Sequence, residues 1–465
     1  MKRKKSQGSI TVFLSMILLV IVSITVEVLG EAVYQADRIK LASSMDLSMQ
    51  SVLSQYDAEL LEQYGLFFIW ATEEKLASQL DYYLYRNVEN TGGMVQMNLN
   101  ETNILALEEA TDNKAMAYYR EAVEAESERL AGDTLKKAQE VLKNYEKGEE
   151  NRKTLEENQV KKEQLEVPKD LEVDEAAREQ AEQMVNPVEV INAIKDNGVC
   201  GLLTYDMYIS PAVIDLSQTI QRRRLNQGTY QGKSTDNSSQ ELLFDLYLKN
   251  HFSVFKASAL ADSKEKGLQY QQEYIISGKE SDRKNLNAVI EKLLWIREGV
   301  NFVYLLSDAS KVAQADALAT ALVGYTGIVP LVVAMKFAIL GVWAYGESLV
   351  DVRILLQGGK LEFLKSEGTF RLSLENLPKV AEIIRGNLSG DERGMSYQDY
   401  MFLFLSSTSR KNRCYRSMDI IEQQMQLSAG KSQFHMDNCV AFLKARASIE
   451  SRKGRVITIE RAMGY

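Results

Sequence analysis

The sequence predicts an α+β protein that is predominantly helical. Three observations carry that expectation. Glu, Lys, Leu, Ala and Gln are abundant and only five prolines occur, none before Pro168, which favours long helices. Apolar residues alternate with period two in only a few short stretches, enough for one small antiparallel sheet. Finally, Ile10 to Leu29 is a twenty-residue apolar run directly behind a basic tip.

That run, ITVFLSMILLVIVSITVEVL, carries one charge, Glu27, near its far end. At about 1.5 Å per residue it matches the roughly 30 Å hydrocarbon thickness of a bilayer. The tip Met1-Lys2-Arg3-Lys4-Lys5 puts four cations on the short side. By the positive-inside rule the N-terminus is cytoplasmic and the bulk of the chain extracytoplasmic, in a single-pass arrangement. A cleaved secretory signal would have a shorter apolar region and a small-x-small site. This run ends in Glu27-Val28-Leu29-Gly30-Glu31, so a retained anchor in membrane lipid is expected.

The net charge is −9, and with the four tip cations set apart the outer part carries −13. Such an exterior disfavours nucleic acid and anionic headgroups as partners. Three cysteines, Cys200, Cys414 and Cys439, are too few and too scattered for a disulfide framework or a CxxC metal site. One bridge, Cys414 to Cys439, is compatible with an oxidising location, and so are free buried thiols. The two histidines, His251 and His435, lie far apart, which disfavours a histidine-based catalytic or zinc site.

From Glu31 to Leu61 there is neither proline nor glycine. Val33, Ala36, Leu41, Met45, Met49, Val52 and Leu53 recur at three-and-four spacing. One helix is therefore expected from about Ile10 to about Leu61, half in lipid and half projecting from it as a stem. Gln63-Tyr64-Gly65 stops it, and Leu66 to Trp70 reads as a strand.

Gly8-Ser9-Ile10-Thr11-Val12-Phe13-Leu14 behind the basic tip, and SQYDAELLEQYGLFFI from Ser54 to Ile69, resemble the TadE/TadG-like proteins of Gram-positive bacteria. More narrowly, the chain resembles an uncharacterised domain family associated with them. Trp343 to Arg353 (WAYGESLVDVR) and Met395 to Tyr400 (MSYQDY) carry the same resemblance in the second half. It implies an accessory, pseudopilin-like role in tight-adherence (Flp-type) pilus assembly or a related surface secretion system. Its implied partners are pilin-like or Tad-system membrane proteins, or further copies of this chain. Gly8 and Ser9 form the candidate processing site, since pilin-like precursors are cut after a glycine. Many carry a glutamate five residues into the mature chain, where this sequence has Phe13.

Beyond the stem, Val95, Met97 and Leu99 alternate with polar residues and lead into Ile104-Leu105-Ala106-Leu107, a half-buried strand. Asp112 to Gln183 is highly charged and helical. Leu135, Ala138, Leu142 and Tyr145 suggest a coiled-coil or hairpin seam, and Lys147 to Glu175 suggests a solvated helix or connector. Gly198 to Arg224 is mixed sequence, and Arg222-Arg223-Arg224 reads as surface. Leu286, Val289, Leu293, Ile296, Val300 and Val303 form a core-facing helical stripe.

Ala317 to Met335 runs nineteen residues without a charge, but Gly324 to Pro330 breaks it in the middle. A helical hairpin over 309–350, buried in the outer domain, is expected in preference to a second membrane span. Phe370, Leu372 and Leu374 alternate as a strand, and Met395 to Gln426 reads as helix. Ala441 to Ile449 alternate strictly, and after Arg452-Lys453-Gly454 the run Val456 to Ile459 completes a β-hairpin.

The resulting divisions are a basic tip (1–9), the membrane helix (10–29), the stem (30–64) and a strand-containing segment (65–111). An acidic helical insertion (112–186), a helical domain (187–365) and an α+β C-terminal part (366–465) follow.

No P-loop, HExxH or GxSxG motif is present, and the sequence shows no cofactor box. Glu347 and Asp351 lie one helical turn apart and could serve acid/base work or a metal. Arg353 beside them favours an ion pair or a helix-surface role. The expected function is therefore non-enzymatic, with no cofactor. The rival expectation is a membrane-tethered extracellular scaffold or binding module unrelated to pili.

Overall fold

The computed structural model describes residues 8–89, 98–129, 138–139, 142–143, 184–230, 238–257, 267–386, 388–428, 430–450 and 454–465. It is a predominantly helical α+β protein with a small antiparallel sheet. The chain divides into two compact units: residues 1–121, 225–234 and 433–465 form the first, and 122–224 with 235–432 the second. The segment 366–465 is therefore shared between them.

The first unit begins with α1, Gly8–Leu53. Over Ile10 to Leu29 every residue is exposed, and this helix is long and apolar enough to cross a membrane. The exposure ends where the pattern changes. Leu41, Met45, Met49 and Val52 recur every three or four residues, which puts them on one face, and all four are fully buried. They pack with Leu76, Leu80, Leu84 and Val88 of α3 (Glu73–Glu89). A hydrogen bond from Asn87 Nδ2 to Ser48 Oγ (2.9 Å) ties the two helices together, and Gln55 Nε2, just past the end of α1, donates to the Tyr83 hydroxyl of α3 (2.6 Å).

Both helices lie on a four-stranded antiparallel sheet. It comprises β1 (Ile69–Trp70), β2 (Asn98–Glu109), β5 (Cys439–Glu450) and β6 (Val456–Gly464). β5 is central, with β2 along one edge and β1 and β6 sharing the other. Its Ala441, Leu443, Ala445, Ala447 and Ile449 are buried, as strict alternation requires, and the β5–β6 hairpin forms as expected. Tyr465, two residues past Met463, bonds its hydroxyl to the Leu53 carbonyl at the end of α1.

Two local expectations are corrected in this unit. The first helix stops at Leu53, not near Leu61, because the Asp57 carboxylate caps a separate α2 (Ala58–Tyr64), accepting from the N–H groups of Glu59 (3.1 Å) and Leu60 (3.0 Å). Gly65 closes α2 at φ 68°, a left-handed conformation that glycine adopts without strain. The strand expected over Leu66 to Trp70 is only two residues long. Leu99 belongs to β2, whereas Val95 and Met97 lie outside the described residues. After β2 comes α4, Asp112–Arg129, which runs on into the second unit.

The second unit contains α5 (Pro187–Asp196), α6 (Val199–Leu203), α7 (Ser238–His251), α8 (Gln271–Ser277) and α9 (Asp282–Ser307). After these come α10 (Ala309–Val323), α11 (Val329–Leu356), the short ladder β3–β4 (Lys360–Leu361 with Met395–Ser396), α12 (Val380–Ile384), α13 (Tyr397–Ser407) and α14 (Arg410–Leu427). Helices α9 and α11 pack side by side, and α10 folds back along α11 as the expected hairpin. Leu286, Val289, Leu293, Ile296 and Val300 of α9 are buried, with Val303 half-buried.

Of the expected seam, Ala138 and Leu142 pack against Leu242, Leu246 and Phe402 of this unit's own core. Leu135, Tyr145 and Lys147 to Glu175 lie outside the described residues. Within the arginine triplet, Arg223 forks onto Glu422 with both contacts at 2.6 Å, while Arg222 and Arg224 are exposed.

The helix expected over Met395 to Gln426 is two helices, parted at Thr408-Ser409. Ser396 and Asp399 form a capping box that starts α13 after a β4 residue, not inside a helix. The strand expected at Phe370, Leu372 and Leu374 does not form, for a reason given by the residues it meets.

Candidate functional site

Glu347 and Asp351 stand on successive turns of α11, both fully buried. Seventeen of that helix's residues, Ile339, Leu340 and Val342 to Leu356, are buried, so the pair sits deep in the second unit, away from water. Two cations hydrogen-bond to the two acids there, and a third, Arg371, lies 4.0 Å from Asp351 while paired with Asp391. Lys365 Nζ lies 2.6 Å from Glu347 Oε1 and 2.7 Å from Asp351 Oδ1. Arg297, from α9, donates its Nε to Asp351 Oδ2 at 2.9 Å. The cluster is therefore neutral as a whole.

The carboxylate oxygens have further donors, while Arg297 Nη2 and Asn301 Oδ1 are buried without a hydrogen-bond partner. Glu347 Oε1 accepts from the Arg371 N–H (3.0 Å) and Oε2 from the Leu372 N–H (2.7 Å). Asn301 Nδ2 donates to Asp351 Oδ2 at 3.2 Å. Arg297 Nη1 donates to the carbonyls of Glu362 (3.1 Å) and Phe363 (2.9 Å), and the indole of Trp343 to the carbonyl of Leu372 (2.7 Å). Here lies the reason that 370–374 is not a strand. Its backbone groups are taken by side chains of α11, so an extended segment with period-two burial has no ladder partner.

The electrostatics separate the two acids. Burial and the neighbouring Asp351 raise the Glu347 carboxyl, with Lys365 opposing. Burial also acts to raise Asp351, but Arg297 and Lys365 outweigh it and hold the carboxyl below its usual range. Glu347 is thus the member that takes a proton first. Every carboxylate oxygen already has a donor from the chain, so the pair acts as a clamp that fixes 362–372 against α9 and α11.

Arg353 is not the partner that its nearness in sequence suggested. It points the other way, donating to the Leu203 carbonyl and the Asp206 carboxylate, each at 2.7 Å. The partners that matter, Lys365 and Arg297, lie 14 and 54 positions from Asp351. Only the WxxxExxxD spacing on α11 was visible beforehand.

The other nominated residues are scattered. Gly8 and Ser9 open α1, and Phe13 is exposed on it. Of the two readings left open for Cys414 and Cys439, a bridge or buried thiols, the structure has buried thiols, and Cys200 is a thiol too. Cys414 is buried on α14 within the second unit and Cys439 at the head of β5 within the first. Burial pushes the Cys414 thiol up to about 12. Cys200 donates its thiol to Asn287 Oδ1 at 2.6 Å.

A family of unknown function, DUF5702, matches residues 177–451, more than half of the chain. The chain belongs to that family. The matched span contains the whole Lys365 cluster and excludes α1. No curated protein and no solved structure matches the chain.

Proposed function

We propose that this DUF5702 protein is a non-enzymatic, membrane-anchored component of a surface assembly, an accessory pseudopilin-like part of a tight-adherence pilus or related secretion system. The observation that supports it is the division of α1 into two halves. Ile10 to Leu29 is apolar and exposed all round, as a lipid-facing helix must be, and the half from Leu41 to Val52 is docked on an antiparallel sheet. A hydrophobic stem continuing into a helix laid on a sheet is a pilin-like arrangement. The likeness is one of architecture, which by itself does not carry function.

In lipid, helices associate through close fit and small residues, not through hydrophobicity. Ser15 and Ser23 offer such positions, and the Ser15 hydroxyl is already bonded within its own helix, to the Val12 carbonyl at 2.8 Å. Replacing both with leucine should leave insertion intact and weaken co-purification with pilus components. Unchanged co-purification would remove these serines from the packing face.

The test of the whole proposal is the mass of the mature N-terminus from membrane fractions, with protease accessibility of intact cells. A membrane-bound chain with its β5–β6 hairpin digested from outside is the expected result, and a start at Ser9 would add processing by a prepilin peptidase despite Phe13. A chain that retains Lys2 to Gly8 would indicate a fixed anchor outside the pilin processing route. A chain absent from the membrane fraction, with α1 removed, would mark α1 as a signal and end the anchored reading.

A further inference from the structure

The hairpin of α10 and α11 is buried at its base only. From Ile339 to Leu356 nearly every residue of α11 is covered, whereas Ile328, Val329 and Leu331 at the tip are 47 %, 53 % and 39 % exposed. Ala317, Ala321 and Ala334 are exposed beside them. The expectation of a buried hairpin therefore holds for its lower half alone. Together these residues make a contiguous apolar cap, the kind of patch that marks a contact surface.

Charge bounds the cap sharply. Asp316 and Lys336, 3.9 Å apart across the two arms, are the first charges met from the tip. Between them the chain from Ala317 to Met335 has none. Each charge-free helical arm is seven residues long (Ala317 to Val323 and Val329 to Met335), about 10 Å. That depth is within one leaflet and well short of the roughly 30 Å needed to cross.

The turn is also compatible with a place without water. Irregular backbone in hydrocarbon is tolerated only where its polar groups are satisfied within the chain. Here the Thr326 hydroxyl donates to the Val323 carbonyl (2.7 Å) and accepts from the Ile328 N–H (3.3 Å). Gly327 N–H reaches the Gly324 carbonyl (2.9 Å), Leu331 N–H reaches the Ile328 carbonyl (3.0 Å), and Pro330 has no N–H to satisfy.

We infer that the α10–α11 tip inserts into one leaflet of a lipid bilayer, to the level of Asp316 and Lys336, without crossing it. The occupant is acyl chain and not a protein groove, because the cap is alanine- and valine-rich and both arms stay free of charge over the same length, down to the Asp316–Lys336 pair. The inference rests on the membrane-anchored reading above.

The test uses the full chain in phosphatidylcholine vesicles, with an environment-sensitive fluorophore on Leu331→Cys in a Cys200→Ser background. Val22→Cys, on α1, reports whether the anchor has inserted, and Lys284→Cys, at an exposed position on α9, serves as the aqueous reference. Nitroxide placed shallow in the acyl chain should quench the Leu331 site several-fold more than the Lys284 site, and more than nitroxide at the bilayer centre does, with iodide ineffective. Quenching by iodide and not by lipid nitroxide, while the Val22 site is lipid-quenched, would overturn the proposal and leave water or a protein on the cap. Strongest quenching from the bilayer centre, with the C-terminus protected from external protease, would overturn it in favour of a span. If the Val22 site is also unquenched by lipid, the anchored reading falls, and this proposal with it.

Discussion

Lys365→Met should cost about 3–5 kcal/mol of stability, the usual penalty for removing one member of a buried ionic group. Lys365 donates to both Glu347 and Asp351, and its side chain is 1 % exposed. Without it the two buried carboxylates face Arg297 and, at 4.0 Å from Asp351, the half-buried Arg371. Because Glu347 protonates more readily than an ordinary glutamate, the loss should be smaller at acidic pH and larger at alkaline pH. Urea unfolding followed by the fluorescence of Trp343, which bonds into the same segment, measures it.

The double variant Glu347→Gln/Lys365→Met should recover part of the loss. Glutamine carries no charge to compensate and keeps one acceptor oxygen for the Arg371 or the Leu372 N–H, while its amide nitrogen faces the other, so the recovery is partial. A loss below about 1 kcal/mol for Lys365→Met would place the cluster among the weak, solvated ion pairs and end its description as a clamp.

The second large effect is a pH dependence centred on Glu273, which is completely buried on α8. Its Oε1 accepts from the Phe255 N–H and the Tyr397 hydroxyl, both at 2.9 Å. Burial is the largest influence and raises the carboxyl from 4.5 to about 7. An acid with a raised folded value binds more protons folded than unfolded, so the contribution is complete below 4.5 and declines as pH rises toward 7. The magnitude is ~3 kcal/mol across that window.

Glu273→Gln should flatten the slope of stability between pH 5 and pH 7 by most of that amount. Asp419 and Asp245, raised mainly by burial to about 7 and about 6, titrate in the same sense and stay in the variant, so some slope should persist. A variant with the wild-type slope would show that Glu273 stays ionised in the fold, held by its two donors.

Both effects depend on residues that become neighbours only when the chain folds, which fits how much of the protein its sequence displayed. The anchor-like run, the amphipathic second half of α1, the stripe on α9, the α10–α11 hairpin and the β5–β6 hairpin were all legible. Each is a local periodicity, or a local absence of charge, and needs no partner to be seen. The α+β class followed from those pieces. Of the buried cluster, Glu347 and Asp351 were visible because four-residue spacing stacks them on one helical face. Their cations were not, since Lys365 and Arg297 reach them from other elements and the nearer Arg353 turns toward Asp206.

Tertiary contacts decided the rest. Whether 370–374 was a strand depended on Glu347 and Trp343 claiming its backbone, and period two alone cannot distinguish a ladder from an extended segment held by side chains. Spacing left Cys414 and Cys439 open to a bridge or to buried thiols, and only the fold placed each thiol in the core of its own unit. The sequence alone determined where the chain is apolar and with what period. Only the tertiary structure decided which apolar surface is covered, as at the base of α11, and which is left bare, as at its tip, because burial is a relation between segments.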